Sequence, residues 1–310
     1  KELGALIVFL RPLGLGLPPG MGSPLRVPST HGMTMQALLR PLLDRVRQRA
    51  DAPEVQFTPP AVRGGNILYY WQWAHLRRGQ GARASVLATE HMTAWLDEFP
   101  ALRNLTVPAS DVKLFDRRLF ATRHHFGMTF TAEQNLEFSR WLLESAPGFQ
   151  ERLRSISTQI DDRTCVINVR RGDYYSVPEY RREFAIDIPA HVTQALTILA
   201  GAGRDTDDLL IISDDAQWCR QELAPLLPTA PRYLQDRRSM FDDLAALVSS
   251  RSLVLANSTF SYWGSYLARA LHEDHLAIAP PYHQRVAGGG AMDDVFDPRW
   301  PRTEETRSPA

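Results

Sequence analysis

The sequence predicts an α/β protein whose second half is a parallel, doubly wound, Rossmann-like sheet. Three observations carry this. From residue 164 onward, short apolar runs alternate with stretches of helical spacing. The runs at 164–169, 209–213, 252–256 and 276–279 are almost wholly apolar, the pattern of strands buried on both faces. Three of the four are followed at once by a polar cluster, at the carboxyl end where open α/β sheets hold their ligands.

The elements follow in order. Residues 1–32 are rich in Gly and Pro, show no period, and read as a leader or disordered segment. No acid occurs between Glu2 and Asp44, which leaves a targeting reading open. Residues 34–48 have helical spacing with Pro41 as a kink. The turn Arg63-Gly64-Gly65-Asn66 opens a second helix over 67–78, which Gly79 and Gly81 end. A short strand is expected over 84–88. A helix over 131–154 starts at the capping-box pair Thr131 and Gln134. In the second half, helices are expected over 189–200, 216–223, 240–249 and 259–270, interleaved with the four strands. Residues 281–310 read as a loose tail.

Composition narrows the class. The chain has 310 residues, enough for two domains, and 44% of them are hydrophobic. A formal net charge of zero removes the field a general nucleic-acid binder needs. Cys165 and Cys219 alone make no disulfide scaffold and lack zinc spacing, so a reducing compartment is expected. No run reaches the ~18 consecutive apolar residues of a membrane span. Peripheral membrane association stays open, as does the oligomeric state.

The chemistry-bearing residues gather at the strand ends. Asn168-Val-Arg-Arg-Gly-Asp-Tyr174 follows the first strand of the second half. Arg170 and Arg171 offer two guanidinium forks suited to a diphosphate, and Asp173 can hold one of them. Asn168 and Arg170 share a side by strand alternation. Ser213-Asp214-Asp215 follows the next strand. Asn257-Ser258-Thr259-Phe260-Ser261 opens a helix, where hydroxyls and free N–H groups suit a phosphate or an ordinary cap. Gly64-Gly65-Asn66 lets backbone approach a ligand or simply turns. Gly79-Gln-Gly81-Ala-Arg-Ala84 is no dinucleotide fingerprint, because it follows a helix and precedes a strand. His124-His125 has no partner set for a metal. Asn104-Leu-Thr106 and Asn257-Ser-Thr259 are glycosylation sequons only in a secretory compartment.

Taken together, these motifs resemble glycosyltransferase family 11, the α-1,2-fucosyltransferases. The family's H-x-R-R-G-D-Y stands here as Asn168 to Tyr174, and its F-S-D-D-x-x-W-C as Ile212 to Cys219. Its N-S-T-F-S-W-W-x-A-x-L stands as Asn257 to Leu267, and its glycine signature as a shortened Gly64-Gly65-Asn66. Order and spacing agree over about residues 63–280. The resemblance implies a GT-B-like, two-lobed enzyme needing no metal. The first, acceptor-side lobe would span 33–158, and the lobe binding the GDP-sugar would span 159–310. The implied donor is GDP-fucose, transferred with inversion to a glycan hydroxyl such as O2 of a terminal galactose. Arg170 would bind the β-phosphate, with Arg171 and Asp173 in support. Asp243 would read guanine, and Ser258, Thr259 and Ser261 would hold the diphosphate. Ser213 and Asn257 would complete the pocket, and Asn66 would face the sugar from the other lobe. The family's histidine is Asn168 here, which hydrogen-bonds but does not titrate. A different nucleotide sugar or acceptor, or a binding protein without catalysis, is the alternative. A bacterial cytoplasmic setting is expected, with an organelle as the other choice.

Overall fold

Two parallel sheets organise the chain. The structure is a computed structural model and describes residues 45–49, 51–60, 62–120, 130–286 and 290–305. The leader, most of the helix expected over 34–48, and His124-His125 lie outside the described residues.

The first sheet holds β1 (Glu54–Phe57), β2 (Ala84–Leu87), β3 (Thr106–Val107) and β4 (Arg117–Phe120), in the order β3-β2-β1-β4, all parallel. Only β2 is predicted from the sequence. β3 has two residues, and β4 is an exposed Arg-Arg-Leu-Phe edge. β1 carries Glu54, which is buried because Arg77 and Arg117 neutralise it at 2.9 and 3.3 Å. Helix α1 (Asn66–Gly79) crosses from β1 to β2, and α2 (Thr93–Glu98) follows β2. Gly64 turns into α1 at φ +53°, a left-handed conformation that costs glycine little.

Next come α3 (Ala132–Glu144) and α4 (Pro147–Ile156). The capping box at Thr131 and Gln134 is formed as expected. The single helix expected over 131–154 is two. Pro147 has no N–H for the helix ladder and drives Ala146 out of helical geometry, to φ −126°, ψ 73°.

The second sheet holds β5 (Cys165–Val169), β6 (Leu209–Ser213), β7 (Arg232–Tyr233), β8 (Ser252–Val254) and β9 (Leu276–Ile278). Their order is β7-β6-β5-β8-β9 and every pairing is parallel. This is the predicted doubly wound sheet, with the short edge strand β7 added. After β5 come the helices α5 (Gly172–Ser176), α6 (Pro178–Phe184) and α7 (Ile188–Gly201). α8 (Ala216–Trp218) follows β6 and runs into a wide π-type turn over Cys219–Leu223. α9 (Met240–Ser249) precedes β8, and α10 (Thr259–Leu271) joins β8 to β9.

The segment Pro178–Gly201 has the length and hydropathy of a membrane span. It is not one helix, because Ala185 is extended and Asp187 caps α7 through Ala190 N–H at 3.1 Å. The apolar face of α7, with Val192, Ala195 and Leu199, is buried in the core beside β5 and β8.

One apolar core runs through both halves. It includes Leu68 and Trp71 of α1, Phe138 and Leu142 of α3, and Leu247 and Trp263 of α9 and α10. The Trp263 ring meets Tyr69, Phe138 and Tyr266 with centroids at 4.9–5.5 Å. Burying one such side chain is worth roughly 1.5–3 kcal/mol.

The segment expected as a loose tail is structured. β10 (Gln284–Val286) and β11 (Gly290–Met292) form an antiparallel pair. Beyond them, Phe296 and Trp300 pack on Tyr262, and Thr303 N–H donates to Ala279 O at 3.1 Å. Aromatic burial fixes this stretch despite its Gly and Pro content.

Candidate active site

The site is built where β5, β6 and β8 end. Each strand hands its polar cluster to a loop or helix start, as parallel topology requires. Arg170 leaves β5 and is held from two sides. Its Nη2 donates to Asp173 Oδ1 and its Nη1 to Asp214 Oδ2, both at 2.6 Å. The side chain remains about one third exposed. Asp214 also accepts the Arg171 backbone N–H at 2.8 Å, so one carboxylate fixes both the guanidinium and the chain that carries it.

Arg171 does not form a second fork beside Arg170. Its guanidinium lies between the rings of Tyr175 (4.4 Å) and Trp218 (4.0 Å), and its Nε donates to Asp215 at 3.0 Å. Consecutive residues leaving a strand point to opposite sides, so the two arginines part. Asp215 further caps α8 through Trp218 N–H, and its own N–H donates to Ser213 Oγ at 2.9 Å.

Asn168 is buried and its amide donates across the sheet to Ile212 O at 3.1 Å. Asn257 is also buried, and its amide donates to Phe184 O (2.7 Å) and His283 O (3.1 Å), tying the end of α6 and the residue before β10 to the loop after β8. A glycan cannot be attached at that nitrogen. Ser261 was expected against the diphosphate. It is 0% exposed, and its Oγ accepts the Ala256 N–H at 3.1 Å, so it braces the loop from inside. Ser258 and Thr259 do stand at the α10 N-terminus. The Ser258 side chain does not cap that helix, and its first turn holds no acid. That end therefore keeps the positive dipole of a helix start.

The turn before α1 lies on this helix end. A Cβ at Gly65 would stand 2.5 Å from the Thr259 carbonyl carbon. Asn66 follows at once, and its Oδ1 is buried with no hydrogen-bond partner among the described residues. The structure thus brings the Gly64-Gly65-Asn66 turn and the Asn257–Ser261 cluster together, though nearly 200 residues separate them in the chain.

Asp243 sits in the first turn of α9, nearly buried. Arg237 binds both its oxygens, Nε to Oδ1 at 2.6 Å and Nη2 to Oδ2 at 2.5 Å. Burial raises its pKa, and Arg237 only partly opposes this. Neighbouring Asp242 caps α9 and pairs with Arg152 of α4. Burial likewise pushes the Tyr174 hydroxyl up to about 12. The sequence marks Asp214 only as part of the Ser213-Asp214-Asp215 cluster, without a role of its own, and does not mark Arg237. The Ser-Asp-Asp run after β6 was the available signal for the first. Among the described residues, no group of three or more His, Cys, Asp or Glu is placed to hold a metal ion.

The carboxyl edge of this parallel sheet carries polar loops, a held arginine and an uncapped helix start, which is where open α/β sheets hold their ligands. The chain belongs to glycosyl transferase family 11, whose model matches residues 84–301, more than half of the chain. It is 23% identical over 121 residues to the O-antigen biosynthesis glycosyltransferase WbnK of Escherichia coli, 38% of each chain. It is 26% identical over 129 residues to galactoside alpha-(1,2)-fucosyltransferase 1 of Leontopithecus chrysomelas, 41% of this chain and 35% of that one. The matches thus span well under half of these relatives. Among solved structures, the iron-containing dodecameric glycosyltransferase TibC of enterotoxigenic E. coli is a remote likeness. It has 11% identity and a TM-score of 0.42, covering 83% of this chain and 64% of that one.

Proposed function

We propose that the protein transfers fucose from GDP-fucose to a hydroxyl of a glycan acceptor, with inversion at the anomeric carbon and O2 of a terminal galactose as the target. The observation that carries this reading is Arg170, held by Asp173 and Asp214 at the end of β5 in a family 11 chain. In the reaction the acceptor oxygen forms a bond to C1 from one face. The bond from C1 to the β-phosphate oxygen breaks on the other, and its electron pair leaves with GDP. Charge grows on that phosphate, and a guanidinium already fixed in place stabilises it without rearranging. Arg170 carries this role in the proposal, so no metal is assigned to the step. The α10 N-terminus with Ser258 and Thr259 receives the diphosphate from the other side. Asn66 offers an unpartnered acceptor to a sugar hydroxyl.

Asp243 reads the guanine edge in this scheme. A carboxylate has about four lone-pair sites, so Arg237 does not exhaust it. The acceptor proton leaves to Asp173, whose Oδ2 has no donor among the described residues. Arg171 and Asn168 hold the two sides of the β5 end rather than the ligand.

A nucleotide thermal-shift panel followed by product analysis tests this. GDP is expected to raise the Tm, and GDP-fucose with galactoside acceptors is expected to yield a fucosylated product. Stabilisation by UDP and not by GDP would point to another donor. GDP binding with neither transfer nor donor hydrolysis would leave a binding protein.

A further inference from the structure

A cavity of about 290 Å³ opens beside α5, lined by residues that the donor scheme does not use. Tyr175 is part of its wall and connects it to the arginine pair, since the same ring packs against the Arg171 guanidinium. Its floor is aromatic. Tyr175 donates its hydroxyl to Ile186 O at 2.7 Å, and Tyr282 donates to Ala185 O at 2.8 Å. Both hydroxyls are therefore committed to backbone; Tyr282 is buried beneath the Arg285 guanidinium, so the half-buried Tyr175 ring is the one that offers apolar surface to the cavity.

The rim is charged and mixed. Arg181 and Arg285 stand against Asp187, Glu304 and Glu305. Arg285 lies over the Tyr282 ring at 4.6 Å and pairs with Glu305. The backbone that carries Glu304 is fixed by α7. Gln194 of α7 accepts the Glu304 N–H at 2.8 Å and donates to its carbonyl. One residue earlier, the Thr303 hydroxyl bonds His191 Nδ1 at 2.8 Å, inside the protein.

The balance of charge selects the ligand class. An anion would face three carboxylates, and a polycation two guanidinium groups. A neutral polyhydroxylated ring suits both, because carboxylates accept from its hydroxyls and guanidinium groups donate to them. Its C–H face suits the exposed part of the Tyr175 ring. The volume lies near the lower end of the ~300–1,000 Å³ usual for small-molecule sites.

We propose that this cavity is a saccharide subsite, taking a sugar ring of the acceptor glycan remote from the reacting hydroxyl. The assignment rests on the reading of the enzyme as acting on a glycan. It makes acceptor length a determinant of affinity and places that determinant on the C-terminal segment, at Glu304 and Glu305.

The test uses the full chain with two rim variants, Glu304→Gln and Arg181→Ala, whose wild-type side chains are exposed. Saturation-transfer NMR with lactose, N-acetyllactosamine and a neutral tetrasaccharide reads binding directly. The tetrasaccharide is expected to bind the wild type, and each variant to bind it about tenfold more weakly, as the loss of one charged hydrogen bond predicts. In turnover assays KM for the tetrasaccharide is expected to rise by a similar factor. kcat, the KM for a monosaccharide acceptor and the GDP-induced Tm shift should not change. A wild type that binds none of the three sugars overturns the proposal, and so do variants that bind them equally well. Failure of the fucosyl reading appears separately, as absent GDP stabilisation or transfer, while saccharide binding in the NMR experiment persists.

Discussion

Gly65 rests directly on Thr259. A methyl group at Gly65 would stand 2.5 Å from the Thr259 carbonyl carbon and 2.6 Å from the Phe260 nitrogen. Both are backbone atoms of the α10 start, so nothing flexible can yield.

Gly65→Ala is therefore expected to push the α1 turn off α10. Overpacking of this kind costs about 1–3 kcal/mol. It should lower the urea midpoint and, because Asn66 moves with the turn, weaken GDP-fucose binding more than GDP binding. An alanine variant with unchanged midpoint and unchanged donor affinity would remove the contact from the account.

Arg170 can be separated from the fold. Its side chain is about one third exposed, and its two acidic partners keep solvent access once it is gone. Arg170→Ala should leave the circular dichroism spectrum and Tm close to wild type. kcat should fall by about 10²–10³, the usual cost of losing one preorganised group that stabilises developing charge. Arg170→Lys should recover only part of this, since an ammonium cannot hold Asp173 and Asp214 at once in the same plane. Wild-type turnover in the alanine variant would sink the catalytic assignment.

Arg171 is expected to behave in the opposite way. Its guanidinium is sandwiched between Tyr175 and Trp218 and bonded to Asp215, with the side chain about one fifth exposed. Arg171→Ala should destabilise the protein by about 1–3 kcal/mol through lost stacking and the loss of the cation beside Asp215. Any loss of kcat should follow the loss of folded protein. If the variant keeps its Tm and loses turnover, Arg171 contacts the donor after all.

That contrast marks how far the sequence could be read. The strands β5, β6, β8 and β9 were legible because burial on both faces writes itself as apolar runs such as Leu209–Ser213. The polar clusters after them were legible for the same topological reason. Which side chain turns toward a ligand was not, because it depends on partners far along the chain. Arg171 is claimed by Trp218, Ser261 by Ala256, and Asn257 by His283. β1 and β4 escaped notice because Glu54 is buried only through Arg77 and Arg117, a pairing no local pattern announces. The ordered C-terminal segment had a visible signal in Phe296 and Trp300, which Gly and Pro content outweighed in the reading.

Two buried histidines give the fold a pH dependence with a definite sign. His191 Nε2 lies 2.8 Å from Leu255 O and His275 Nδ1 lies 2.8 Å from Ser250 O. A carbonyl only accepts, so each of those nitrogens carries the proton. The other nitrogen of each ring then accepts from a hydroxyl, Thr303 for His191 and Ser265 for His275. Both rings are thus held neutral, and burial lowers each pKa to about 4. In the unfolded chain the same groups titrate near 6.5, so between about pH 6.5 and 4 the unfolded state binds more protons. Stability is therefore complete above pH 6.5 and falls as the pH drops toward 4, by an amount on the order of 3 kcal/mol for each histidine. Urea midpoints measured from pH 8 to pH 4 should show a plateau and then this decline. His191→Gln and His275→Gln should each have a lower plateau and a shallower decline. A midpoint flat across that range in the wild type, or a decline unchanged in both variants, would place the acid sensitivity elsewhere.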